Sequence, residues 1–269
     1  MRALVEKYCE LPRPLRKPLW KWAHNLIQKW DQDHAGVFLN YGYAATGQKS
    51  QGLQLQKEDF PNRYGIQLYD HVAKPVSFSG ARVLEVGCGR GGGASWLVRS
   101  RNPRSYVGMD ISKEAIGFCQ QKHSFSNLSF VKGDAESLPF KKDQFDIVLN
   151  VESARCYGSI PRFFEEVKRV LSPRGKFLFA DMIKKGEVDK IRTWMEQVGF
   201  SLEEEEEITS SVVQALRSDS SSRMKIIKDF IPSYWRKAFA EFSGVEGSRR
   251  FDEFNTRKIE YWRFMLRPK

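Results

Sequence analysis

Long apolar runs are missing from this 269-residue chain. No stretch approaches the roughly 20 apolar residues that a membrane-spanning helix needs. Met1-Arg-Ala-Leu-Val-Glu-Lys7 lacks an apolar core and a cleavage site, so no secretory signal is expected. Cysteine is scarce, with four residues. Cys9, Cys88, Cys119 and Cys156 lie far apart without metal-ligand spacing, which excludes a disulfide framework and predicts reduced thiols, no metal and a cytoplasmic location. Histidine is equally rare, limited to His24, His34, His71 and His123. There is no recognition module and no long uniform basic tract, so nucleic acid is not an expected partner. The run Glu203 to Glu207 reads as a solvated strand or loop edge. No internal repeat is visible.

What is present is basic and uneven. The formal charge is +11 and 41% of residues are hydrophobic, enough for a globular core. Arg13, Arg16, Lys17, Lys21 and Lys29 alternate with Leu15, Leu19, Trp20, Trp22, Leu26, Ile27 and Trp30. A helix from about Pro18 aligns Trp22, Leu26 and Trp30 on one stripe. That stripe has two readings, which stay open: peripheral contact with an anionic membrane, or packing on its own domain.

The most informative segment is Arg82-Val-Leu-Glu-Val-Gly-Cys-Gly-Arg-Gly-Gly-Gly-Ala94. An apolar strand, a glycine turn and the start of a helix let backbone approach a nucleotide-like ligand closely. The turn has no Gly-Lys-Ser/Thr after it, which removes the lysine of a triphosphate site. Tyr106-Val-Gly-Met-Asp110 reads as a second strand, ending in a carboxylate about 25 residues after Glu85, near the spacing of a ribose acceptor. Leu128 to Val131 runs into Gly133-Asp-Ala-Glu136, and Phe145 to Leu149 runs into Asn150-Val-Glu152. Acidic strand ends beside a glycine turn suit adenosine better than pyrophosphate.

From Ala81 to Met182 strands and helices alternate: strands 81–86, 105–109, 128–131, 145–150 and 175–181, with helices 92–100, 112–123 and 160–171. Ser112 caps its helix, and Ser172-Pro-Arg-Gly175 is expected to stop the last one. Alternation predicts an α/β fold with helices on both faces of a parallel sheet. A helix over 187–198, a strand from Phe200 and a helical segment over 209–242 follow, before a closing strand at Tyr261–Leu266. The expected division is an N-terminal helical lid (1–75), a Rossmann-like core (76–208), and a helical lid insertion with the last strand (209–269).

At these residues the chain resembles the class I S-adenosylmethionine-dependent methyltransferases. The resemblance implies a seven-stranded, mostly parallel sheet with a reversed last strand, and S-adenosyl-L-methionine as cofactor. It implies that Glu85 helps hold the methionine end through the turn, Asp110 takes the ribose hydroxyls, and Asp134 with Ala135 caps the adenine. Gly87, Cys88, Gly89, Ile111, Asn150 and Tyr41 complete the expected cofactor set. Gly91-Gly-Gly-Ala-Ser-Trp96, Gly133-Asp-Ala-Glu-Ser-Leu-Pro-Phe140, Asn150-Val-Glu152, Cys156-Tyr157 and Phe163 to Leu171 narrow the likeness. With Phe38-Leu-Asn-Tyr41, Pro61-Asn-Arg63, Gly247-Ser-Arg-Arg250 and Tyr261 to Arg267, they are similar to the phthiotriolone/phenolphthiotriolone dimycocerosate methyltransferases, which O-methylate a secondary hydroxyl on a long lipid. One position departs: the family has a histidine just before the Cys-Tyr pair, and this chain has Arg155, which stays protonated and cannot act as a base.

Methyl transfer to an alcohol calls for a base near the transferring methyl. Glu152 and Asp181, at the ends of the fourth and fifth strands, are the candidates. Glu152 has an alternative as the ion-pair partner of Arg155, and Asp181 as a backbone cap. Tyr43, Arg155 and Tyr157 are expected at a hydrophobic small-molecule acceptor of lipid, polyketide or terpenoid type. Two other readings stay open: C-methylation of an alkene, with Glu152 stabilising a carbocation, and a non-catalytic cofactor-binding module.

Overall fold

The computed structural model describes residues 36–45, 53 and 55–269. The basic N-terminal stripe, His24, His34 and Cys9 lie outside them. Strands β1 (Arg82–Val86), β2 (Ser105–Asp110), β3 (Leu128–Lys132), β4 (Phe145–Val151), β5 (Leu171–Lys184), β6 (Phe200–Glu207) and β7 (Ile259–Pro268) form one sheet in the order β3-β2-β1-β4-β5-β7-β6. Strands β1 to β5 pair in parallel, and β7 runs antiparallel between β5 and β6. The seven-stranded sheet with a reversed last strand therefore stands as expected. Helix α1 (Arg63–Ala73) precedes β1. Helices α2 (Gly92–Arg101), α3 (Lys113–Lys122), α4 (Ile160–Val170) and α5 (Val188–Val198) then connect strands, while α6 (Thr209–Phe230), α7 (Ser233–Ser243) and α8 (Arg249–Asn255) lie between β6 and β7. Among the described residues, no helix is long and apolar enough to cross a membrane.

Local chemistry explains the boundaries. Ser112, Ser159 and Ser248 each accept a hydrogen bond from a first-turn amide of the helix they precede, satisfying donors that the helix leaves open. Gly199 closes α5 in the left-handed region at φ 90°. Strand alternation divides the core. Val83 packs with the α1–α3 side, whereas Leu84 and Val86 join a phenylalanine-rich side built on Phe163, Phe164, Phe177, Phe179 and Phe264.

One expectation needs correcting. The fifth strand was expected over 175–181, after a stop at Ser172–Gly175. It runs from Leu171 to Lys184 instead. Leu171 already pairs with Phe145, and the register shifts before Lys176 pairs with Ile147. The Pro-Arg-Gly chemistry thus makes an irregularity within an edge of the strand, not a loop before it. Its far end is prolonged because β7 continues pairing as far as Lys184.

The strand order reverses between β1 and β4. Open parallel sheets bind ligands in the crevice outside the strand ends at such a switch point. The glycine turn after β1 and the Asn150–Glu152 segment at the end of β4 occupy the two sides of that crevice.

Candidate active site

The turn after β1 is tied down from β2. The amides of Gly87 and Cys88 both donate to the Met109 carbonyl, at 2.7 and 3.0 Å. The amide of Gly89 donates to Asp110 Oδ2 at 3.0 Å, and that of Ser112 to Asp110 Oδ1 at 2.9 Å. Gly87, Gly89 and Gly91 all have positive φ (79°, 54° and 73°), where a Cβ is strained. Space above the turn differs along it. A Cβ at Gly87 would meet Ser153 Oγ at 2.2 Å, whereas one at Gly89 would find only Leu39 at 3.9 Å.

Two small cavities of about 60 and 40 Å³ flank this turn, and both are lined by Gly87, Asp110 and Ser153. The first also takes in Cys88, Gly89, Tyr69, Glu152 and Arg155. The second takes in Ile111, Asp134, Ala135 and Tyr157. Asp110 therefore stands where the two meet, and each of its oxygens, having accepted one amide, keeps a second acceptor site. That donor set fits an adenosyl ligand: Asp110 for ribose hydroxyls, Gly87–Gly89 backbone beneath, and Asp134, Ala135 and Ile111 on the base side. A ligand spanning both cavities requires the Ser153 hydroxyl to leave its place over Gly87, where it bonds Tyr157 Oη at 2.8 Å.

Several expected residues sit elsewhere. Glu85 lines neither cavity. It is fully buried behind the turn, accepting from the Tyr69 hydroxyl at 2.7 Å and the Tyr106 hydroxyl at 2.8 Å. Burial is the chief reason that its pKa is pushed up to about 7, against the two tyrosine hydroxyls that hold it down. Asn150 is also behind the turn, donating to the Val86 carbonyl, Ser153 Oγ and Tyr157 Oη. Tyr41, expected against the cofactor, lines neither cavity; its ring packs edge-on against Phe254. Tyr43, expected at the acceptor, is stacked on His71 with ring centroids 4.2 Å apart, on the far side of the segment. Tyr157 falls on the Asp134 side with the base-side residues, not beside Arg155.

The acidic candidates do converge. Glu152 is buried at φ 55°, a left-handed conformation that costs a residue with a Cβ about 1–2 kcal/mol. Its Oε1 accepts from the Tyr41 amide at 2.8 Å and the Tyr261 hydroxyl at 3.1 Å. Its Oε2 has no hydrogen-bond donor among the described residues, the Arg155 guanidinium being 3.7 Å away. Burial raises the Glu152 pKa to about 7; Arg155, the Tyr41 amide and Tyr261 oppose the rise, and Asp181 adds to it. Asp181 is engaged differently. It accepts from the Arg155 amide at 3.1 Å, the Arg155 guanidinium at 3.2 Å and the Met182 amide at 2.8 Å. Both readings of Asp181 as a cap and of Glu152 as an Arg155 neighbour are thus visible, and of the two acids only Glu152 has an oxygen with no hydrogen-bond donor among the described residues.

Sequence reasoning missed three contributors. Tyr69 of α1 lines the first cavity while bonding Glu85. Gly93 makes room for it, since a Cβ there would lie 2.0 Å from its ring. Ser153 separates the cavities, and Tyr261 carries Glu152. Only the third glycine of the run hinted at any of them.

A strand-end site of this kind on a seven-stranded sheet with a reversed last strand fits the S-adenosylmethionine-dependent methyltransferases, and the relatives show that class. A model of the methyltransferase domain matches residues 84–179. The phthiotriol/phenolphthiotriol dimycocerosates methyltransferase of Mycobacterium leprae is 37% identical over 239 residues, covering 87% of this chain and 86% of that one. A fatty-acid O-methyltransferase of Mycolicibacterium smegmatis is 35% identical over 263 residues, covering 96% and 94%. The crystal structure of the [4+2]-cyclase SpnF superposes with a TM-score of 0.69 at 17% identity, covering 96% of each chain. The chain belongs to the family of the phthiotriol/phenolphthiotriol dimycocerosates methyltransferases. Its fold is shared with a cyclase, so the reaction must be argued from the site.

Proposed function

We propose that this enzyme O-methylates a neutral hydroxyl on a lipid-type acceptor, with Glu152 as general base. The observation that carries the proposal is Glu152 Oε2: a buried carboxylate oxygen, without a hydrogen-bond donor, lining the cavity at the glycine turn. The cofactor supplies an electrophilic methyl on a sulfonium. The chain's own residues must then orient an oxygen lone pair toward it, exclude water and take one proton. In this reading Glu152 Oε2 accepts that proton, while the Tyr41 amide and Tyr261 hydroxyl fix the carboxyl from its other oxygen. Asp181 engages Arg155, so the guanidinium is partly neutralised before any acceptor arrives.

The electrostatics favour a hydroxyl over a carboxylate. With both acids ionised, Glu152, Asp181 and Arg155 already sum to one buried negative charge. A carboxylate acceptor would add a second, which a low-dielectric site disfavours, whereas a hydroxyl donates to Oε2. The curated relatives are named for dimycocerosates and a fatty acid, which supports a lipid acceptor of either head group. The test uses methyl-labelled cofactor with a total lipid extract. A labelled ether resists alkali and yields methyl iodide with hydriodic acid. Alkali-labile label would mean an ester and overturn the hydroxyl reading; label resistant to both reagents would mean transfer to carbon.

A further inference from the structure

Beyond the crevice at the glycine turn, a recess of about 310 Å³ that touches the site lies between β5, α5, α8 and the start of β7. Its walls include Ile160, Phe179, Met182, Ile183, Ile191 and Ile259. Lys184, Glu187 and Lys190, all exposed, also line it, as does the half-buried Arg250, which is paired with Glu253 at 3.1 Å. The volume lies at the lower end of the ~300–1,000 Å³ usual for small-molecule sites. Protein interiors keep few voids larger than a water, so an open recess of this size, with one wall of aliphatic side chains, suits an occupant.

Its floor is the point of interest. Arg155 lines both this cavity and the one holding Glu152. Asp181 lines the recess and takes the Arg155 guanidinium at 3.2 Å, while Glu152 Oε2 on the other side lies 3.7 Å from the same nitrogen. The two spaces therefore meet at one planar cation. A guanidinium is weakly hydrated and tolerates apolar groups across its face.

We propose that this recess is the chamber for the acceptor's hydrocarbon chain: the chain lies among the isoleucines, passes the Arg155 guanidinium and presents its hydroxyl to Glu152. The assignment rests on the hydroxyl-acceptor reading above for the direction in which the chain points, but binding can be measured without turnover. At about 30 Å³ per water-sized group, the chamber holds on the order of ten chain carbons. The probes are straight-chain alkan-1-ols from butanol to tetradecanol. Each is titrated against the enzyme, loaded with S-adenosylhomocysteine, by displacement of 1-anilinonaphthalene-8-sulfonate.

Affinity is expected to rise about fourfold per added methylene, the equivalent of ~0.8 kcal/mol per buried CH₂, and to level off near ten carbons. Ile191→Trp fills the chamber and should weaken decanol at least about tenfold, leave butanol little changed, and keep S-adenosylhomocysteine affinity within about twofold. Should that variant not fold, Ile183→Phe makes the same test from β5. Affinity independent of chain length in the wild-type enzyme, or decanol bound equally by wild type and a folded variant, overturns the assignment. Glu152→Gln separates the two readings. If it remains fully active but alkanol binding still follows chain length, the base role is lost and the chamber stands.

Discussion

Replacing Glu152 with glutamine alters one atom of the site and leaves its frame. The retained Oε1 can still accept from the Tyr41 amide and the Tyr261 hydroxyl, at 2.8 and 3.1 Å in the parent. What disappears is the acceptor at Oε2, now an amide donor beside the Arg155 guanidinium, 3.7 Å away in the parent. General-base catalysis contributes about 10²–10⁴ in rate, so kcat should fall by that factor. Cofactor affinity should change less than about twofold, because Asp110 and the turn, the proposed adenosyl holders, are untouched. The pH profile supplies the sharper readout. Burial places the Glu152 pKa at about 7, and the base must be ionised, so wild-type kcat should climb through that pH and flatten above it. The residual activity of the glutamine variant should lack this limb. Stopped assays with labelled cofactor from pH 5.5 to 9, beside calorimetric titration of S-adenosylhomocysteine, separate chemistry from binding. A variant that keeps more than about a tenth of wild-type kcat with the same pH limb would refute the assignment.

Other outcomes follow from the same geometry. Asp110→Ala removes the anchor of the Gly89 and Ser112 amides and the ribose acceptor together; calorimetric affinity for S-adenosylhomocysteine should drop at least about tenfold, and an unchanged value rejects the role. Gly87→Ala places a Cβ 2.2 Å from Ser153 Oγ at φ 79°. The melting temperature should fall by about 4 °C or more, and differential scanning fluorimetry reads it. Glu85 has its folded-state pKa raised from 4.5 to about 7, so the folded chain binds the extra proton between those values. Its contribution to stability is present below about pH 4.5 and lost as pH rises through 7, on the order of 3 kcal/mol. In Glu85→Gln, urea midpoints at pH 5 and pH 8 should lie closer together than in wild type; an unaltered gap would place the pH dependence elsewhere.

Much of the frame was legible because it is local. The glycine turn, the apolar β1, the acid at the end of β2 and the serine caps each need only a few neighbouring residues to state what they do. The alternation of strand and helix predicts a parallel sheet, and the aromatic stretch near the C-terminus a closing strand, whose reversal only the family resemblance implies. The exceptions arise where a second element decides. Whether the Ser172–Gly175 segment is a loop or part of β5 depends on Leu171 finding Phe145, which the proline does not announce. Tyr43 is an aromatic near the site in sequence, yet His71 of α1 offers it a stacking partner on the opposite side.

The site itself shows the same division more sharply. Glu152 and Asp181 could each be marked from strand ends, but not told apart, since both are buried acids beside one arginine. They differ through residues about a hundred positions away: the Tyr261 hydroxyl, from a strand expected only to close the sheet, and the Tyr41 amide, from a segment preceding the fold's core. Those two donors fix one oxygen of Glu152 and leave the other without a donor among the described residues. Asp181 lies along a strand and spends its oxygens on Arg155 and the Met182 amide. Glu152, just past the end of β4, has a left-handed backbone at φ 55°. A conformation that is costly in isolation is held there by a sheet bond from its amide to the Ala180 carbonyl, at 2.8 Å. The asymmetry on which the proposed base role of Glu152 rests therefore resides in tertiary contacts, where no motif could record it.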